Sequence, residues 1–207
     1  MKSNDSIFWV KYNGIMIPAT KNLIHGEKFH DEELSYPNDV ELRSWNPFHC
    51  SLSSAIMCGL ELLPMIKNSN ILYYGNKIPI TISHISDLID ENGNITCILP
   101  SDFLNYSDLK NRKNIIFKNS LKELTGSSSE SFDTIFIDTY ENITLESIID
   151  LFQKHLKPNG FVMILISKND DTYFKTLLND YRKHFKIIQN IDLGIYQKNQ
   201  SLLIGQK

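Results

Sequence analysis

The chain has 207 residues, 42% of them hydrophobic and 22% charged, which excludes a disordered tail and fits one domain with at most a small appendage. Its 21 basic and 24 acidic residues leave a formal net charge of -3, so no global positive field holds nucleic acid or an anionic membrane to it, and tight autonomous RNA binding is excluded. Cys50, Cys58 and Cys97 lack paired spacing, which argues against a disulfide framework or a metal site, and Met1–Val10 has no apolar signal core; a soluble intracellular protein without a membrane span is expected.

In chain order, Ile7–Tyr12 and Ile15–Thr20 are strand-like runs joined by Asn13-Gly14, the strongest two-residue hairpin signal. A further strand at Val40–Ser44 ends this small antiparallel β unit before Trp45-Asn46-Pro47, giving an appendage over 1–45 and a main domain over 46–207. From Ser51 the period becomes helical, with Leu52, Ala55, Ile56, Gly59, Leu60 and Leu63 at three- and four-residue spacings until Pro64.

Apolar strand runs then alternate with helical stretches. The strands are Ile71–Tyr74, Ile95–Leu99, Ile115–Phe117, Thr134–Ile137 and Phe161–Ile166, and the helices are Thr81–Asp90, Asp102–Asn111, Thr144–His155 and Asp171–His184. Such alternation implies a mostly parallel sheet covered on both faces. Ile187–Leu193 and Leu202–Gly205 are too close for a crossover helix, so they pair as an antiparallel hairpin. The fold class is therefore α/β, a Rossmann-like sheet of the class I methyltransferase kind, with a C-terminal antiparallel hairpin and a small N-terminal antiparallel unit.

In such a sheet the ligand lies beyond the carboxyl ends of the strands. The loop Gly75–Thr81 can offer backbone N–H groups to a ligand, although Pro79 removes one donor. Leu99, after the second strand, cannot accept from a ribose hydroxyl, and Asp102 suits a helix N-cap. Asp138, following Thr134–Ile137, is placed to orient a hydroxyl or accept its proton; a solvated strand-end aspartate is the alternative reading. Lys168 could hold a phosphate or a reacting oxygen, or simply be solvated. The six histidines show no metal-ligand pattern, and His84 reads as a hydrogen-bonded, partly buried helix residue. Two basic clusters, Lys110, Arg112, Lys113, Lys118 and Lys122, then Lys175, Arg182, Lys183 and Lys186, could meet phosphates of an RNA delivered by a partner or solvate a face.

Several strings are more specific. Ala19–Glu27 resembles the ATKNLxPGE segment of the fibrillarin family, the box C/D guide-RNA 2′-O-methyltransferases. Arg43–Phe48 resembles that family's RxWNPF signature, and Thr81–Asp87 its TxSHxSD helix start. The spacing through Asp133–Asp138 and the end at Tyr196 match as well. The resemblance implies S-adenosyl-L-methionine as cofactor, held at Gly75, Thr81, Asn119 and Asp138, and methyl transfer to a ribose 2′-hydroxyl of rRNA or tRNA. It also implies a ribonucleoprotein with a Nop-domain scaffold, a kink-turn-binding protein and a guide RNA. Its place would be the cytoplasm of an archaeal cell or the nucleolus of a eukaryotic one.

The chain departs from the family where chemistry would occur. The glycine-rich loop keeps Gly75 but has Asn76, Lys77, Ile78 and Pro79, the ribose-binding glutamate falls on Leu99, and the adenine-side acid falls on Asn119. Of the family's lysine, aspartate, lysine and histidine set, only Asp138 remains; Ser51, Ser167 and Gln200 stand in the other places, with Lys168 one residue late. The expectation is a fibrillarin-like subunit with impaired catalysis and a structural role; the alternative is an active, divergent 2′-O-methyltransferase using Asp138.

Overall fold

The structure is a computed structural model describing residues 6–75, 79–98, 109–124, 130–139, 144–169 and 171–207. The first sheet has the order β1 (Phe8–Tyr12), β2 (Ile15–Lys21), β4 (Leu42–Ser44), β3 (Leu34–Ser35), all antiparallel. Asn13-Gly14 makes the β1–β2 turn, pairing Tyr12 with Ile15, as the dipeptide requires. The two-residue β3 is too short to leave a period in the sequence, and the expected strand from Val40 begins only at Leu42.

The second sheet has seven strands in the order β10-β11-β9-β8-β5-β6-β7. β5 (Asn70–Gly75), β6 (Asn94–Ile98), β7 (Ile115–Lys118), β8 (Phe132–Asp138) and β9 (Leu156–Ser167) run parallel. The hairpin β10 (Lys186–Asp192) and β11 (Gln200–Gln206) joins β9 antiparallel. Helices α1 (Ser51–Met57) and α2 (Ile80–Ile89) supply Leu52, Ala55, Ile82 and Ile85 to the core on one face. α3 (Leu145–His155) and α4 (Asp171–His184) supply Ile148, Phe152, Leu177 and Tyr181 on the other. Thr144 is the α3 N-cap, its hydroxyl accepting from the Ser147 N–H at 3.2 Å.

Two expectations need correction. α1 stops at Met57 instead of running to Leu63, because Gly59 turns into the left-handed region at φ 93°, although Leu60 and Leu63 stay buried. β9 starts at Leu156, which pairs with Phe132 before a register shift, so Pro158-Asn159-Gly160 sits within a bulged strand where its composition suggests a turn. The helix expected over 102–111 lies outside the described residues except at its end, where Leu109–Asn111 form a turn.

A buried charged joint locks the first sheet to α2. Arg43, wholly enclosed, donates to Glu32 Oε2 at 3.0 Å, Ser83 Oγ at 2.8 Å and Asp87 Oδ2 at 2.7 Å. Arg112, 2% exposed, donates to Asp87 Oδ1 and to Glu27 Oε2, each at 2.6 Å. This corrects the reading of Arg112 as a phosphate contact. Burial opposes ionisation of Asp87, but the two guanidiniums hold its carboxyl below the ordinary range.

His84, also wholly enclosed rather than partly buried, stacks on Trp45 with ring centroids 4.5 Å apart. Thr20 has one hydroxyl proton and gives it to ionised Asp87 at 2.6 Å, so its oxygen accepts from His84 Nδ1 at 2.8 Å. His84 Nε2 lies 3.1 Å from Glu32 Oε1. Burial pushes the Glu32 carboxyl up, and burial together with the Arg43 charge pushes His84 well down. Glu32 Oε2 accepts from the Phe29 N–H at 2.9 Å and from Arg43.

Candidate functional site

Side chains alternate along a strand, so the core partition decides what meets at the carboxyl edge. Tyr73, Phe136, Met163, Leu165, Leu202 and Ile204 face α1 and α2. By the same parity Gly75, Asp138, Ser167 and Gln200 end their strands on that face, in adjacent strands β5, β8, β9 and β11. Gly75 and Asp138 are register partners, as are Ser167 and Gln200. α1 begins with Ser51 over this row.

Asp138 is wholly buried, which replaces the alternative of a solvated strand end. Its Oδ1 accepts from Ser51 Oγ at 2.5 Å and its Oδ2 from the Tyr73 hydroxyl at 2.8 Å. Burial, then the Asp138 charge, pushes the Tyr73 phenol far up, so it remains a donor. Tyr73 escaped sequence reasoning, yet it left a signal: it precedes Gly75 by two residues, the strand spacing that puts both on one face. A Cβ on Gly75 would lie 2.7 Å from the Tyr73 hydroxyl and 3.0 Å from Asp138 Cβ, so the glycine is required by this close packing.

The other expected residues disperse. Thr81 is 1% exposed at the start of α2, its hydroxyl 3.2 Å from Cys50 Sγ. Burial pushes the Cys50 thiol up, so this contact is between neutral groups. Asn119 is exposed just past β7, and its backbone N–H donates to Glu123 Oε1 at 3.2 Å. Lys168 follows the parity of Ile164 and Ile166, away from Asp138, and its ammonium pairs with Asp192 at 2.5 Å. That hydrogen bond holds the Asp192 carboxyl below its ordinary value. Within the basic clusters Lys118 pairs with Glu130 at 2.8 Å and Lys183 with Asp180 at 2.6 Å, both local uses of charge. Loop positions 76–78 and Leu99 lie outside the described residues.

Chemically, this edge presents one carboxylate held by two hydroxyls, with a serine and a glutamine alongside. It can orient a hydroxyl-bearing ligand. The fit to a nucleoside-containing cofactor is incomplete: Gly75 and exposed Asn119 could contact one, while Thr81 is spent on Cys50 and Leu99 offers no acceptor. Among the described residues no helix is long and apolar enough to cross a membrane.

A fibrillarin family model matches residues 1–207. A fibrillarin-like rRNA/tRNA 2′-O-methyltransferase of Pyrococcus abyssi is 28% identical over 202 residues, spanning 91% of this chain and 89% of that protein. The solved structure of Aeropyrum pernix fibrillarin, in complex with natively bound S-adenosyl-L-methionine, is 21% identical with a TM-score of 0.86, over 97% of this chain and 94% of that one. A chain from a fibrillarin/Nop5p complex is 20% identical with a TM-score of 0.79, over 97% and 96% of the two chains. Both structures carry the SAM-dependent methyltransferase fold expected from the strand and helix order.

Proposed function

The chain belongs to the fibrillarin family, and from that premise we propose that it is the fibrillarin-like subunit of a guide-RNA ribonucleoprotein whose methyl-transfer step is strongly impaired. Its partners in this reading are a Nop-domain scaffold of the Nop5p kind, with a box C/D guide RNA, a kink-turn-binding protein and an rRNA or tRNA target reached through the complex. Its place is wherever those RNAs are processed, the nucleolus of a eukaryotic cell or the cytoplasm of an archaeal one. S-adenosyl-L-methionine, when bound, supplies the methyl group. Gly75 and Asn119 would hold it, and Asp138 would orient the accepting hydroxyl.

The observation that carries the impairment is the charge at the carboxyl edge. Asp138 is buried under the Ser51 and Tyr73 hydroxyls, while Ser51, Ser167 and Gln200 occupy places that the family resemblance assigns to two lysines and a histidine. Removing groups that stabilise charge developing in the transition state costs a factor of about 100–1,000 in rate. One lost ribose-to-carboxylate hydrogen bond at Leu99 adds about 1.5–3 kcal/mol, or tenfold and more in cofactor affinity.

Calorimetric titration with S-adenosyl-L-methionine, followed by a labelled methyl-transfer assay in the reconstituted complex, tests this reading. The expected result is binding weaker than micromolar and very slow transfer. Micromolar binding with transfer at the rate of an intact family member overturns it in favour of a divergent enzyme working through Asp138.

A further inference from the structure

The turn 193–199, which links β10 to β11, stands at the carboxyl edge and is fixed from within. The backbone N–H groups of Tyr196 and Gln197 both donate to Leu193 O, at 2.9 and 2.7 Å. The Gln197 carboxamide then donates to the carbonyls of Pro47 at 3.2 Å and Phe48 at 2.9 Å, clamping the turn to the segment that leads into α1. Across that clamp Phe48 and Tyr196 meet edge to face, with centroids 5.2 Å apart and planes at 70°.

Despite this bracing, Phe48 is 55% exposed, and Ile195 on the same turn is 81% exposed. A rigid aromatic ring with a free face is a ready stacking surface, and stacking costs little entropy when the ring is already held. Its position narrows the occupant. Phe48 lies three residues before Ser51, and Tyr196 four residues before Gln200, so the ring pair sits at the mouth of the row that ends at Asp138. Among the described residues the buried carboxamide oxygen of Gln200 has no hydrogen-bond partner, an acceptor left for a hydroxyl from outside the chain. Exposed Lys198 adds a point charge on the turn itself.

We propose that Phe48, braced by Tyr196, is a stacking platform for an unpaired RNA nucleobase, with Gln200 accepting from the ribose hydroxyl of the same strand. This deepens the function proposed above and rests on its assignment of RNA to the carboxyl edge. A protein seated here would close the mouth through which the ribose enters. The platform keeps RNA at an edge whose catalytic cations are gone.

The test uses the full chain with a short single-stranded oligouridylate at low salt, and separately with a Nop-domain scaffold protein. Phe48→Ala is expected to weaken oligonucleotide binding about tenfold, within the range of one lost base–aromatic stack. Phe48→Trp is expected to retain binding, with the new indole quenched on saturation, while scaffold affinity and thermal melting stay unchanged in both variants. Equal oligonucleotide affinity in Phe48→Ala, no quenching in Phe48→Trp, or protection of Phe48 by the scaffold protein in the absence of RNA overturns the platform. Loss of scaffold binding by the unmodified chain, with the Phe48 effects intact, overturns the ribonucleoprotein reading and leaves the platform standing.

Discussion

The joint beneath α2 and the carboxyl edge around Asp138 are both buried and polar, yet they use charge in opposite ways. At the joint, Arg43 and Arg112 share Asp87 and reach Glu32 and Glu27 at 2.6 to 3.0 Å, and the His84–Glu32 contact at 3.1 Å completes the network. At the edge, a single carboxylate is held by hydroxyls, with serine and glutamine where the family resemblance calls for cations. The buried guanidinium–carboxylate pairs fasten the first sheet to α2, while at the edge neutral hydroxyls surround the buried carboxylate.

Removing the shared anion is the most severe way to strain the comparison. Asp87→Asn leaves two enclosed guanidiniums without their common partner and is expected to lower unfolding free energy by about 3–5 kcal/mol in chemical denaturation. A loss below about 1 kcal/mol would show that the joint is not what holds the first sheet in place. At the edge, Tyr73→Phe strips one donor from a buried carboxylate and is expected to cost about 1.5–3 kcal/mol, with methyl transfer no slower than in the unmodified chain. If transfer instead collapses while stability holds, Asp138 is working chemistry rather than packing.

Titration sharpens the contrast further. Glu32 is raised above its ordinary 4.5 and His84 depressed well below its ordinary 6.5. His84, being depressed, favours folding fully above 6.5 and loses that contribution as pH falls below 6.5, because the unfolded chain takes up the proton first. Glu32, being raised, favours folding fully below 4.5 and loses that contribution as pH rises above 4.5, because the unfolded carboxyl ionises first. The two slopes oppose one another, each by up to about 1.4 kcal/mol per pH unit.

The smallest expected effect is the most diagnostic. Glu32→Gln keeps a donor toward His84 and an acceptor toward Arg43, so it should cost less than about 1 kcal/mol at neutral pH. It should also remove the loss that Glu32 causes above 4.5 and leave a stability that falls as pH drops below about 6.5, because His84 then titrates alone. A loss as large as that of Asp87→Asn would mean that Glu32 is an ionised partner of Arg43.

Much of the fold could be read from the residues. The limits of α4 and the pairing of the final hairpin follow from helical period and from two strand runs too close for a crossover. α1 was overextended because Leu60 and Leu63 keep helical spacing while being buried by tertiary contacts after the chain has turned at Gly59. The site was legible only in part. Asp138 could be found from its place after an apolar strand, but the buried hydroxyls that hold it could not, because Ser51 and Tyr73 reach it across 87 and 65 residues of sequence. Arg112 read as one member of a basic cluster for the same reason: its acidic partners, Glu27 and Asp87, are distant in sequence and close only in the folded chain.

The most direct measurement of the difference between joint and edge is single-turnover transfer of a labelled methyl group to target RNA, in a complex assembled from this chain, a Nop-domain scaffold, a kink-turn-binding protein and a guide. Stable assembly with transfer slower by about 100-fold or more than that of an intact fibrillarin in the same complex is the expected result. Transfer at the intact rate would contradict it, and would show that one buried aspartate with two neutral hydroxyls suffices for the reaction.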